Sequence, residues 1–149
     1  NGMLALLNHP DQLDSLSSNP AQAPAAVQEM IRYDSPLPFF HRYASVDCEV
    51  MGMPYPVGTK FGLLYGSANR DPRQFSHADR FDINRYPNRH LGFGRGAHLC
   101  LGNNLARLNM EITFASLLAR VKTIELRQTP RFRLGLASRG VRELALRLV

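Results

Sequence analysis

The chain has 149 residues, a hydrophobic share of 44% and a net charge of +6; that is enough for one packed domain or part of a larger one, and too apolar for disorder. No uninterrupted apolar run reaches membrane-spanning length, and the start, Asn1-Gly2-Met3, lacks the basic region of a signal peptide. Two cysteines make no disulfide framework and point to a reducing, cytoplasmic compartment. Of the 18 basic residues only Lys60 and Lys122 are lysine. The arginines are scattered, with no basic run and no interleaved aromatics, so nucleic acid is not an expected partner and a solvated, ion-paired surface accounts for most of them.

Residues 3–7 are apolar and helix-forming but begin abruptly, as the last turns of a helix do. Pro10 then sits in the first turn of a short helix, with Leu13 and Leu16 as its buried side. Pro24 opens another helix that runs to about Tyr33, where Asp34-Ser35-Pro36-Leu37-Pro38 stops it. Residues 41–44, 48–51 and 60–65 read as short strands of a small antiparallel sheet, with turns at Gly52-Met53 and at residues 56–59. Cys48 falls in the second strand as a small core residue. Asn69-Arg70-Asp71-Pro72 starts a short helix, and residues 76–100 show no period, a length of irregular chain that tends to be functional. From 101 to 121 there is no proline and no glycine beyond Gly102; Leu105, Leu108, Ile112, Ala115 and Leu118 recur at helical spacing, so this is the longest helix and the expected core. Residues 132–149 read as two strands around Ser138-Arg139-Gly140.

The chemistry concentrates in Phe93-Gly94-Arg95-Gly96-Ala97-His98-Leu99-Cys100-Leu101-Gly102. Gly94 and Gly96 allow a tight loop that turns its N–H groups inward at a sulfur. The helix that follows presents the positive end of its dipole to an anion. Both effects favour the thiolate, the metal-binding form of cysteine. Gly102 leaves room for something flat against the helix start. The plain alternative is a glycine loop that contains a buried cysteine. A zinc site lacks a second cysteine or clustered histidines to complete four ligands.

This stretch resembles the haem-binding signature of the cytochrome P450 family, Phe-Gly-x-Gly-x-(His/Arg)-x-Cys-x-Gly, with every fixed position filled, and Leu105-Ala106-Arg107 follows at the spacing usual in its soluble bacterial members. The resemblance implies a mainly α fold with small antiparallel β-sheets, of which residues 1–149 are the C-terminal, proximal haem-binding part. It implies haem b as cofactor and Cys100 as the axial iron ligand, a ligation type that favours O–O cleavage. His98 and Arg42 resemble the positions that hold the propionates, and Arg95 is a further candidate for a propionate or an electron donor. Phe93 resembles the aromatic beside the sulfur, where an apolar shell sets the local dielectric. Glu29-Met30-Ile31-Arg32 resembles the family's Glu-x-x-Arg pair, with Arg80 as the matching third member of a structural network. Leu37, Phe39 and Phe40, and the turn at Ala137-Ser138, resemble the family's substrate-lining places; ordinary core packing explains them equally well.

The implied activity is a haem-thiolate monooxygenase, inserting one oxygen atom of O2 into an apolar substrate with electrons from a ferredoxin-type donor. The chain covers only about the last third of a normal family member. The distal acid–alcohol pair that relays protons in the family is absent, so no residue here is assigned a catalytic role. A non-catalytic haem-binding or interaction module and an inactive fragment are the alternatives. With one wall of the haem pocket missing, apolar faces of the long helix are expected to be exposed, to be covered by the missing N-terminal part or by a second copy.

Overall fold

Apolar residues at Ala23, Ala26, Val27, Met30 and Ile31 repeat at i, i+3, i+4, i+7 and i+8, the stripe that buries one side of a helix. They form the inner face of the helix Ala23–Tyr33, at the centre of the structure. The structure, a computed structural model, describes residues 1–133, 135 and 137–149. It is mainly helical with small antiparallel sheets. The helices are α1 (Gly2–Leu7), α2 (Pro10–Ser18), α3 (Ala23–Tyr33), α4 (Tyr65–Ala68) and α5 (Asn103–Leu118). Pro10 and Pro24 stand in the first turns of α2 and α3, where a missing N–H costs nothing.

One core joins the helices. Leu6 of α1, Leu16 of α2, Val27 and Met30 of α3, and Phe114 and Leu118 of α5 pack together with Phe81 and Ile83 of the irregular segment. Burying each large apolar side chain contributes about 1.5–3 kcal/mol. The α5 stripe that meets α3 is Asn103, Met110, Phe114 and Leu118. This corrects the expected face: Leu118 is buried and Ala115 half-buried, but Leu105, Leu108 and Ile112 are 63%, 52% and 55% exposed. The helix carries two apolar stripes, and spacing alone does not say which one finds a partner.

Among the described residues the strands form four two-stranded antiparallel sheets. β1 (Phe40–Tyr43) pairs with β4 (Lys60–Leu63), with Arg42 opposite Phe61. Between them β2 (Cys48–Val50) and β3 (Met53–Tyr55) form a hairpin whose tip, Met51-Gly52, has positive φ at both residues. That left-handed pair suits the twist of a two-residue hairpin, and Met53, expected in the turn, begins β3. Tyr65 leaves the strand for the short α4, so the expected helix start at residues 69–72 is instead where α4 ends. Among the described residues the tail from 131 on has three strands rather than two, and a fourth precedes it. β5 (Ile124–Leu126) pairs with β8 (Leu146–Leu148), and β6 (Arg131–Phe132) with β7 (Val141–Glu143). The expected tail strands run through Leu134 and Leu136, which lie outside the described residues.

Residues 69–100 have no regular element beyond a short 3-10 turn at Gly96–His98. At Gly92 this segment passes so close to α3 that a Cβ would lie 2.3 Å from Ile31 Cγ2. Only glycine admits that approach, and it sets the loop carrying Cys100 against α3.

Candidate functional site

A buried ion cluster holds the irregular segment in shape. Glu29 and Arg32 project from α3 on the side away from the apolar stripe and are 0% and 1% exposed. Arg32 meets Glu29 in a two-bond fork, Nε to Oε2 at 2.7 Å and Nη2 to Oε1 at 2.8 Å. Its other N–H groups donate to the carbonyls of Asn69 and Ala78, both at 2.8 Å, and of Arg80 at 3.0 Å. Glu29 also accepts from the Asp82 N–H at 2.9 Å and from Asn88 Nδ2 at 3.0 Å. The third arginine is Arg85, whose Nε lies 3.2 Å from both Glu29 oxygens. Arg80, the expected partner, is exposed and contributes its backbone carbonyl to Arg32 and Arg85. A turn explains the difference: the Arg85 N–H bonds Asp82 O at 3.0 Å, and this turn follows directly on the Asp82 N–H that meets Glu29, so it brings the Arg85 side chain back to Glu29 while Arg80 faces solvent.

From this anchor the chain leads to the cysteine loop. Asn69, fully buried, donates from Nδ2 to Ser35 Oγ at 2.8 Å and accepts the Leu91 N–H at 2.7 Å. His90 Nδ1 accepts the Gly92 N–H at 3.1 Å, so its Nε2 carries the proton and donates to Gln28 Oε1 at 3.0 Å. Burial, then the charge of Arg107, pushes the His90 imidazole down to about 4, with Glu29 opposing and Arg32 adding to the fall. His90 is therefore a neutral strut at ordinary pH.

Gly94 and Gly96 have φ of 70° and 69°, the left-handed conformation expected of them. The loop closes through Gly94 N–H to Leu91 O at 2.8 Å, Cys100 N–H to Phe93 O at 2.9 Å and Leu99 N–H to Gly96 O at 3.0 Å. Asn103, the first residue of α5, donates to Cys100 O from its N–H at 3.2 Å and from Nδ2 at 2.7 Å. These four N–H groups serve carbonyls, while those of Leu101 and Gly102, directly after the cysteine, have no hydrogen-bond partner among the described residues. Cys100 itself is exposed at the mouth of α5.

A cavity of ≈ 380 Å³ brings the predicted residues together: Cys100, His98, Phe93, Gly94, Arg42, Leu37 and Phe40 all line it. Phe40 and Arg42 alternate onto the same side of β1, and the Arg42 guanidinium lies 5.1 Å from the Phe40 ring centre while donating to His41 O at 2.8 Å. Phe39 does not line the cavity; its ring packs against Gly62, at 3.0 Å from where a Cβ would be. A neighbouring cavity of ≈ 390 Å³ shares Ile31, Pro36 and Met110 with the first and reaches Arg139 and Gly140. Ala137 and Ser138 line neither, and both are exposed. Ile31, Pro36, Tyr65, Gly92, Ala106 and Met110 complete the main cavity and were not anticipated. Ala106 and Met110 were within reach of the sequence, since they lie four apart on the helix that Cys100 precedes.

The cytochrome P450 family model matches residues 22–136. The chain belongs to the cytochrome P450 family. It is 47% identical over 129 residues to cytochrome P450-terp of a Pseudomonas species, covering 87% of this chain and 30% of that protein. It is 39% identical over 148 residues to linalool 8-monooxygenase of Pseudomonas putida, covering 99% of this chain and 36% of that one. Among solved structures, P450BioI in complex with acyl carrier protein bearing hexadec-9Z-enoic acid superposes with a TM-score of 0.95 at 42% identity, over all of this chain and 39% of that one. The fold is thus the C-terminal part of a P450, and the chain spans about a third of the length of the curated relatives it matches. No helix described is long and apolar enough to cross a membrane.

Membership implies haem, and the residues of this P450 fit it. Nothing lies within 4 Å of where a Cβ would stand on Gly96 or Gly102, so space is open beside both ends of the cysteine loop. The cavity wall is mostly apolar, with one thiol and two basic side chains, Arg42 and His98. Among the described residues no three His, Cys, Asp or Glu side chains cluster for a bare metal ion. A metal at Cys100 must bring its other ligands with it, as a porphyrin does.

Proposed function

We propose that this chain is the proximal, haem-thiolate part of a P450 monooxygenase that takes haem b, with Cys100 as axial ligand. The observation that carries this reading is the single cavity in which Cys100 meets Phe93, His98 and Arg42. When bound, haem supplies activation of dioxygen and insertion of one oxygen atom into a substrate C–H bond, favoured by a thiolate ligand.

The chain's own residues do the holding. Cys100 presents its sulfur from a loop that three backbone bonds close. Arg42 and His98, both at the cavity wall, would meet the two propionates, Arg42 with a planar fork suited to carboxylates. Phe93 and Met110 would give the sulfur side an apolar wall. Leu37 and Phe40 give the cavity an apolar wall, which suits an apolar small molecule, in line with the terpene alcohol named for the linalool relative. Electrons would come from a ferredoxin-type protein. A haem-binding module without oxygen activation is the second reading.

The deciding experiment mixes the chain with haem, reduces it and adds carbon monoxide. A strongly red-shifted Soret band in the wild type, lost in Cys100→Ala, is expected; an unchanged band in Cys100→Ala overturns the ligand assignment. Monooxygenase turnover with a ferredoxin system then separates the enzyme from the silent haem module.

A further inference from the structure

Arg107 ends the Leu105-Ala106-Arg107 run after the cysteine, and its charge helps hold the His90 imidazole neutral. Ala106 lines the cavity of Cys100; Arg107 does not. The Arg107 side chain is half-buried, and its Nε is closed to solvent without a hydrogen-bond partner among the described residues. What it touches is Phe93: the guanidinium carbon stands 5.1 Å from the ring centre, within the range of a cation–π contact. The His90 ring lies 6.2 Å from the same ring, tilted by 49°. An unbonded buried donor is costly, and an apolar side chain such as methionine would pack there without that cost. A guanidinium at this place is explained by its charge.

Phe93 couples that charge to the sulfur site in two ways. Phe93 lines the same cavity as Cys100. Its carbonyl accepts the Cys100 N–H at 2.9 Å, so a shift of Phe93 carries Cys100 with it. We infer that Arg107 is a positioning residue for the cysteine ligand: it clamps the Phe93 ring by a cation–π contact and keeps a permanent positive charge one ring away from the thiolate. The inference rests on the haem-thiolate reading for its electronic half only.

A fixed positive charge beside an anionic iron–thiolate centre stabilises the reduced state, which carries one more negative charge. The test compares Arg107→Met and Arg107→Lys with the wild-type chain. In the haem-bound form, Arg107→Met is expected to disfavour the reduced iron roughly tenfold, a negative shift of ~59 mV for a one-electron couple, while Arg107→Lys retains most of the wild-type potential. In the haem-free form, Arg107→Met is expected to speed hydrogen exchange at the Cys100 amide severalfold, again with rescue by lysine. A potential and an exchange rate that both match wild type in Arg107→Met overturn the inference. So does a lysine variant that behaves as the methionine one does, since that reduces Arg107 to packing. If no form takes up haem, the haem-thiolate reading fails, and the exchange rates still decide whether Arg107 positions the loop.

Discussion

In the buried cluster, every N–H of the Arg32 guanidinium meets an acceptor: two oxygens of Glu29 and the carbonyls of Asn69, Ala78 and Arg80. A lysine could not do this, because the five donors of arginine lie in one plane and reach chain segments on several sides at once. Glu29 is likewise saturated by Arg32, Arg85, Asn88 and the Asp82 N–H. Removing one member leaves charge or donors buried without partners, so Arg85→Ala is expected to cost about 3 kcal/mol or more. Arg80→Ala keeps the carbonyl that matters and loses only an exposed side chain, so it should stay within about 0.5 kcal/mol of wild type. Urea unfolding of the two variants checks the ordering, and equal losses would return the third place in the network to Arg80. The Glu29–Arg32 pair was legible from its spacing; Arg85 was not, because a turn closed by its own N–H onto Asp82 O, rather than a strand, brings it to Glu29.

His90 gives the same region a pH dependence. Its folded value of about 4 lies below the ordinary 6.5, so between those limits the unfolded chain binds a proton that the folded chain refuses. The stability from neutral His90 is complete above about pH 6.5 and is lost as pH falls toward 4, a loss of up to about 3 kcal/mol. His90→Asn keeps an acceptor for the Gly92 N–H and removes the titration. Melting temperatures of the two chains should therefore converge from pH 7 to pH 4.5; parallel curves would mean that His90 already protonates freely in the folded state.

At the scale of elements, legibility followed the length and the locality of the causes. The helices α2, α3 and α5 have prolines in their first turns or long unbroken stretches, and their residues largely specify them. α4 has four residues and β3 and β5 three each. Elements this short are fixed by partners distant in sequence, as when the Gly66 N–H at the start of α4 bonds Pro38 O at 2.9 Å. The irregular segment was legible as irregular, and its polar composition is explained by the side chains that replace a backbone ladder: Asn69, Arg32 and Arg85 bond carbonyls or N–H groups along residues 69–91. The site shows the same division. Cys100, His98, Phe93 and Gly94 share one loop, and their meeting with Arg42 required only β1 to face them. Phe39 was misplaced because the chain takes its strand phase at Phe40, which sends the two adjacent rings to opposite sides. Ala137 and Ser138 depended on how a distant turn settles, and that turn is tied by the Arg139 N–H to Pro36 O so that Arg139 and Gly140, not Ala137 and Ser138, reach the neighbouring cavity.

At the scale of the whole molecule, the second stripe of α5 decides how the chain behaves in water. Leu101 is fully exposed, and Leu105, Leu108 and Ile112 continue from it at helical spacing, each more than half exposed. Single exposed leucines are ordinary, but a continuous apolar stripe on the longest helix is the kind of surface that drives association. It lies on the side of α5 away from the cavity that Cys100 lines, since Ala106 and Met110, which line that cavity, stand about half a turn round the helix from it. The relatives, about three times as long, have chain enough to cover such a face. In isolation the stripe's available partner is a second copy. The purified chain is therefore expected to sediment as a dimer or larger species at micromolar concentration. Leu105→Lys combined with Ile112→Lys should shift it toward monomer without lowering its stability to urea, because neither side chain reaches the α3 side of the helix. A double variant that unfolds more easily would place this stripe in the core, and a wild-type chain that remains monomeric at high concentration would show that the exposed leucines are not sticky enough to bring two copies together.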